Sequence, residues 1–405
     1  MNMMNIIRKN IRQYGMIIAL IVIALLFQNL TNGILFRPAN IANLVTQNGY
    51  ILILAIGMVL VILTGRIDLS VGSLLAFTSA MSGILIAQLE WPMWLAIIAV
   101  LAIGAISGAW NGFWIAYVKV PFFVVTLAGM LFFRGLTMFA LDGITISNIS
   151  PTFHRLSVGF IPDFFGGMSI GGTSYNVTAL ALCALASLIL VFSEFRKRRA
   201  ARIYEAEMLP MPFLIAKLVI ITGAINLFGY WFALFAGIPN MLVLLTALII
   251  IYSFVANNTV AGRHIYATGG NAHAAELNGI KTKRVVFWVY VNMGVLAALA
   301  GIMFASRLNA ASARAEAGFE LQAIAAAFIG GASPFGGIGK VTGAIIGAML
   351  MGVLNNGLSH LGIGSDVQLA ITGAFLLLAV GFDIYTKQSK SGKLPDPPKP
   401  KKVKA

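Results

Sequence analysis

The stretch closest to a reactive motif is GGIGKVTG (336–343), whose glycines would admit a phosphate to backbone amides and whose Lys340 would neutralise it. A phosphate-binding loop needs Gly, four residues, then Gly-Lys-Ser/Thr. Pro334 stands at the first glycine position and Val341 follows the lysine, so the pattern fails. His154, His264, His273 and His360 are scattered without metal-ligand spacing, and no Ser/His/Asp set can be assembled. The chain itself is therefore expected to be no enzyme, with no catalytic residue, metal or cofactor of its own.

Ionisable groups inside apolar runs would instead point to proton coupling. Asp68, Glu90, Asp142, Glu320, Asp366 and Asp383 all fall at the ends of such runs. Arg134, in MLFFRGLTM, is the intramembrane charge: a packing anchor, or a snorkelling side chain within reach of Asp142. Arg66 and Asp68 stand close enough in sequence for a local ion pair. Candidate polar residues for a translocation path or gate are Ser70, Asn111, Thr126, Asn292, Gln322, Asn355 and Asn356, with Asn48, Thr64 and Ser73 beside them. Gly104/Gly108 and Gly343/Gly347, spaced i, i+4, suit close helix packing. An ion-coupled secondary transporter of a small polar solute is the alternative reading these residues leave open.

One polar segment breaks the apolar pattern: GRHIYATGGNAHAAELNGIKTKR (262–284). Asn271 is a good N-cap, Ala272 to Asn278 favours helix, and Gly279 is placed as a stop. Gly269, Asn271, Ala274, Ala275, Glu276 and Gly279 are the candidates for a rigid contact with a soluble partner.

The elements that position these residues follow from composition. The chain is 59% hydrophobic and 10% charged, where soluble chains carry about 25% charge. An all-α polytopic membrane protein follows, with about twelve spans of roughly 20 residues: near 14–35, 48–65, 69–89, 91–117, 121–141, 175–195, 211–235, 238–257, 285–306, 319–333, 338–358 and 367–385. The tenth is too short to face lipid unbroken and is expected to be buried. Residues 1–13 and 387–405 form a cytoplasmic N-terminus and a disordered basic tail around a membrane domain, 14–386. The lone Cys183 excludes a disulfide within the chain. The apolar run after Arg8, Lys9 and Arg12 is long for a signal core and lacks a clear cleavage site, so it reads as a retained span.

Lysine and arginine orient the spans. With both termini inside, 23 of the 28 cations lie on the inner face, while Arg37, Arg155, Arg307 and Arg314 lie outside and Arg134 within a span. This asymmetry places both termini in the cytoplasm. It also accounts for the net charge of +15 without nucleic acid.

GAISGAWNG (104–112) and GAMLMGVLNNG (347–357) share a small-residue start and an Asn-Gly end, and each follows a span opened by an acid, Asp68 or Glu320. In this topology the two units run in opposite directions, the pattern of an inverted repeat.

The 262–284 segment with VYVNMGVLAALAGIMFASR after it resembles the coupling region of bacterial ABC-importer permeases for monosaccharides, the ribose/xylose/multiple-sugar group. TGRIDLSVGSLLAF (64–77), GAWNGFWIAYVKVPFFVVTLAGMLFFRG (108–135) and ELQAIAAAFIGGASPFGGIGKVTGAIIGAMLMGVLNNGL (320–358) resemble the same family in its order. The resemblance implies a permease of the bacterial cytoplasmic (inner) membrane. It implies import of a pentose or hexose such as xylose, arabinose, galactose or glucose. It implies as partners a separate cytoplasmic ATPase that binds the ATP, an extracytoplasmic sugar-binding protein and a second permease copy. A ten-span core is implied, with an extra helix pair within 175–235 joined by the basic loop FRKRRAARIYEAEMLPMP, as in the xylose and multiple-sugar members. Arg66 departs from the small or acidic residue usual before Ile-Asp-Leu-Ser.

Overall fold

The computed structural model describes residues 3–203, 210–312 and 318–390, with side chains described from Gly15 onward and only in part after Leu378. Arg314 and the tail from 391 lie outside the described residues. Helix formation is dictated by the apolar runs, because lipid leaves no partner for an unpaired backbone amide. In chain order the helices are α1 (Met3–Leu30), α2 (Pro38–Leu63), α3 (Val71–Gly83, continued by a π-helical turn Ile84–Gln88) and α4 (Met93–Phe113, continued likewise by Trp114–Val118). Then come α5 (Phe122–Leu141), α6 (Pro151–Val158), α7 (Val177–Ile203), α8 (Met211–Ala233), α9 (Asn240–Asn258), α10 (Val260–Gly270) and α11 (Ala272–Leu277). The last four are α12 (Thr282–Leu308), α13 (Phe319–Ile329), α14 (Val341–His360) and α15 (Ser365–Lys390).

Among the described residues nine helices are long and apolar enough to cross a membrane, and three shorter apolar stretches, Gly15–Leu30, Phe319–Ile329 and Asp366–Leu378, fall where the first, tenth and twelfth spans were read. α13, with 11 residues, buries Ala323 to Ala327 against its neighbours, as its shortness demands.

Several elements differ from the sequence reading. α2 begins at Pro38, ten residues before the predicted start. Its polar run is compatible with a span because the side chains return to the helix: Asn48 Nδ2 donates to Leu44 O at 2.8 Å and Thr46 Oγ1 to Asn43 O at 3.1 Å. The first part of the basic stretch after Phe195 is helical, and residues 204–209 of the expected loop lie outside the described residues. α7 continues through Ile203, so Arg196 to Arg202 sit on its last described turns. The region 143–174 carries α6, and its strand Ile146–Ser147 pairs antiparallel with Ala310–Ala311. α1 and α15 extend past the predicted span limits, to Met3 and Lys390.

The core is a pair of central helices. α2, 94% buried over its most apolar window, and α12 pack on each other. α12 also packs on α3 and α4, while α2 packs on α13 and α14. Glycine sets these separations. Gly294 of α12 lies between Gly104 and Gly108 of α4, with its missing β-carbon directed at the Gly104 carbonyl. Gly343 and Gly347 of α14 face Gly330 and the Ala326 carbonyl in the same way. Both i, i+4 pairs read from the sequence thus form helix contacts. By contrast α7 and α8 pack mainly on each other, joined by Lys217 to Glu194 at 3.2 Å, and expose most of their apolar surface.

Candidate functional site

The 262–284 segment is more structured than its sequence signals. Thr259 caps α10, its Oγ1 accepting from Gly262 N at 3.2 Å. This helix escaped the sequence reading because Gly262, Arg263 and His264 break the apolar pattern. Its signal, a Thr three residues ahead of the first free amide, was present. Asn271 then caps α11, its Oδ1 accepting from Ala274 N at 2.9 Å. Gly279 stops that helix with φ +81°, a conformation that costs glycine little.

The outward face of α11 differs from the expected one. Ala275 is only 5% exposed and Ala274 half-buried, so both turn toward the chain's own body. Leu277, at 77% exposed, points outward together with His273 and Ala272. Glu276 is exposed, and its Oε1 accepts a short hydrogen bond from Thr282 Oγ1, which ties α11 to the first turn of α12.

α10 is locked to two loops far away in sequence. Gly269 touches the Leu63 carbonyl so closely that any β-carbon would collide with it. Gly337, with φ +70°, donates its N–H to that same carbonyl at 2.9 Å. Tyr266 Oη donates to Gly339 O at 2.7 Å. Tyr290 of α12 reaches the same region, donating to Ile67 O at 3.2 Å. One rigid knot therefore joins the 262–284 segment to the loop that starts α3 and to the loop that starts α14.

The predicted polar residues separate into groups. Asp68 Oδ1 accepts from Ser70 Oγ at 2.6 Å and from Ser70 N at 2.9 Å, and Asn111 Nδ2 donates to Ser70 Oγ at 2.8 Å. Gly129 of α5 packs on both Ser70 and Asn111. Burial pushes the Asp68 carboxyl up to about 6, although both Ser70 hydrogen bonds pull it down. Thr126 is fully buried on α5 and Thr64 Oγ1 donates to Val61 O at 2.7 Å. Asn292 accepts from Tyr252 Oη on α9. Asn355 and Asn356 lie elsewhere, near the far end of α14: Thr372 Oγ1 donates to Asn355 Oδ1, and Asn356 pairs with Asn40, which also meets His360. Asn48 supports Gly352 of α14.

Four of the predicted residues carry a buried polar atom with no hydrogen-bond partner: Asn111 Oδ1, Ser73 Oγ, Asn292 Nδ2 and Gln322 Oε1. Such atoms are costly unless something satisfies them. Ser73 and Gln322 stand on α3 and α13, the two helices whose first turns meet where Glu320 presses on Gly72.

Arg66 and Asp68 take separate partners, and Arg134 acts on another helix. Arg66 Nη1 donates to Thr64 O at 2.8 Å and Asp68 turns to Ser70, so these neighbours form no ion pair. Their side chains leave the loop in different directions because Asp68 is drawn in by the Ser70 amide. Arg134 acts electrostatically on Glu320 of α13, whereas Asp142 stands at the C-terminal end of α5 with φ +49°. Sequence spacing along one helix cannot reveal that partner on another. Among the described residues no three His, Cys, Asp or Glu side chains gather to hold a metal ion.

The fold is that of a polytopic helical membrane protein with a rigid knot of glycine-rich loops and buried, unpaired side-chain amides. The chain matches the family described as branched-chain amino acid transport system / permease component over residues 40–203 and 208–380. It is 38% identical to the xylose transport system permease protein XylH of Escherichia coli K12 over 94% of this chain and 93% of that one. Identity to the XylH of Haemophilus influenzae is 39%, over 94% and 98%. The ribose import permease protein RbsC of E. coli K12 is 33% identical over 91% and 92%. No solved structure matches. The chain belongs to this permease family of ABC importers: it is a bacterial multi-pass membrane transport subunit, not an enzyme.

Proposed function

We propose that the chain is the translocating subunit for a monosaccharide, a pentose above all, in an importer driven by a separate ATPase. The near full-length likeness to permeases named for xylose and for ribose carries this reading. The buried unpaired Asn111, Ser73 and Gln322 atoms suit a path for hydroxyl-rich solutes. The ATPase docks on the outward face of α11, where Leu277 and His273 stand exposed on a helix that the Gly269–Leu63 knot cannot let move alone. An extracytoplasmic binding protein delivers the sugar, and two permease copies form the pore.

The same reading has twelve crossings with cytoplasmic termini. Loops assigned to one side meet one another: Gly65, Gly269 and Gly336 on the cytoplasmic side, and Ile146 with Ala311 or Phe160 with Pro239 on the other. The packing also supports an inverted repeat. Exchanging α2, α3 and α4 with α12, α13 and α14 maps the α12 contacts with α3 and α4 onto the α2 contacts with α13 and α14.

Reconstitution tests it. The chain in liposomes with its ATPase and binding protein should import labelled xylose or ribose only when ATP is present on the ATPase side. Import driven by a proton or sodium gradient without ATP would reject the proposal in favour of ion coupling.

A further inference from the structure

A polar cleft of about 530 Å³ opens beside the coupling segment, between the α2–α3 loop, the end of α4, the start of α5 and the α10–α12 region. Arg66, Lys119 and Lys283 line it from three separate elements, with Glu276 as its one carboxylate. Glu276 is engaged by the Thr282 hydroxyl. Among the described residues none of the three cations makes an ion pair. Thr268, only 3% exposed, also lines the cleft, and its Oγ1 has no hydrogen-bond partner. The floor includes Pro121 and Phe122, where α5 begins without a side-chain cap, so free backbone amides add positive potential.

Unpaired cations, an uncapped helix start and an orphan buried hydroxyl share one complement: a phosphate. We propose that this cleft binds a phosphate group, with Arg66, Lys119 and Lys283 meeting its charge and Thr268 Oγ1 donating to one of its oxygens. The rim explains which phosphate is favoured. Tyr117, Val118 and Phe123, next in the chain to the lining residues Lys119 and Phe122, are exposed apolar side chains, a surface an acyl chain would cover. An anionic phospholipid therefore fits, its headgroup in the cleft and its chains on the rim. The lipid source rests on the cytoplasmic placement proposed above, whereas the phosphate chemistry does not.

The test compares thermal stability of the detergent-purified full chain in inorganic phosphate with that of the chain in nanodiscs of phosphatidylcholine with or without phosphatidylglycerol. Stabilisation by phosphatidylglycerol, lost in Thr268→Val and weakened about fivefold in lipid retention by Lys119→Ala or Lys283→Ala, supports the lipid source. Stabilisation by inorganic phosphate that phosphatidylglycerol does not increase, with the same variant losses, supports free phosphate. Arg196→Ala with Lys197→Ala, on α7 away from the cleft, controls for general basic charge. Equal losses in that control would overturn the site. No response to either probe would overturn it too, as would variants that change only ATPase retention.

Discussion

Glu320 closes against Gly72: the carboxylate at the first turn of α13 occupies the space where a β-carbon at the first turn of α3 would stand. Two helix starts, each with a partial positive charge, thus meet around one carboxylate, which Arg134 also attracts. Buried charges persist where they are paired and oriented. This contact links the two halves that the packing pattern relates, and it is small enough for one methyl group to disturb.

Gly72→Ala should therefore cut transport sharply, because Glu320 must swing away to admit the new carbon. Gly135→Ala, with open space around it, should leave transport near normal. Glu320→Gln keeps the shape but loses the attraction to Arg134, and should slow uptake with chain abundance retained. Uptake by Gly72→Ala equal to that of Gly135→Ala would show that the contact carries no function.

Helix separation in the core gives a second expectation. Gly294→Val drives a branched β-carbon into the Gly104 carbonyl and the Gly108 backbone, and overpacking of this kind costs about 1–3 kcal/mol. Gly223→Ala, which meets nothing within 4 Å, should be neutral. Thermal unfolding in detergent should separate the two variants, and coinciding transitions would contradict the packing.

Much of this was legible in the sequence and some was not, for physical reasons. Apolar runs announce spans because lipid enforces helices, and the Asn271 cap and Gly279 stop follow from local backbone chemistry. Pro38–Gln47 was missed because Asn40 and Thr46 look solvated until their partners are seen: Asn356 across the fold, and backbone carbonyls within α2. The Arg134–Glu320 attraction and the Gly269–Leu63 contact are tertiary, so no local pattern encodes them. The inward face of α11 depends on which side meets α12, and a six-residue helix has too few turns to show a stripe.

Acidity bears on Asp68. Its folded carboxyl is held near 6 against an ordinary value of 3.8, so folding favours the protonated form. The stability it contributes is fully present below about pH 3.8 and is lost as pH rises through about 6. The transition temperature should fall over that window, and Asp68→Asn should flatten the fall. A wild-type profile that rises across the window would contradict the buried, Ser70-bonded placement.

The outward face of α11 yields the sharpest contrast. Leu277 is 77% exposed, and an aspartate there costs folding little, since surface changes usually stay within about 0.5 kcal/mol. Its apolar contact with a partner would be replaced by an unpaired charge. Leu277→Asp should therefore keep normal chain abundance while losing sugar uptake and ATPase retention. Ala275, 5% exposed, is the opposite case: Ala275→Arg forces a guanidinium into the seam between α11 and the body, and should lower abundance before it affects coupling. Pull-down of the ATPase, normalised to chain amount in the membrane, distinguishes them. Normal ATPase retention and uptake in Leu277→Asp would remove α11 from the docking surface and leave the knot at Gly269 as a purely structural joint.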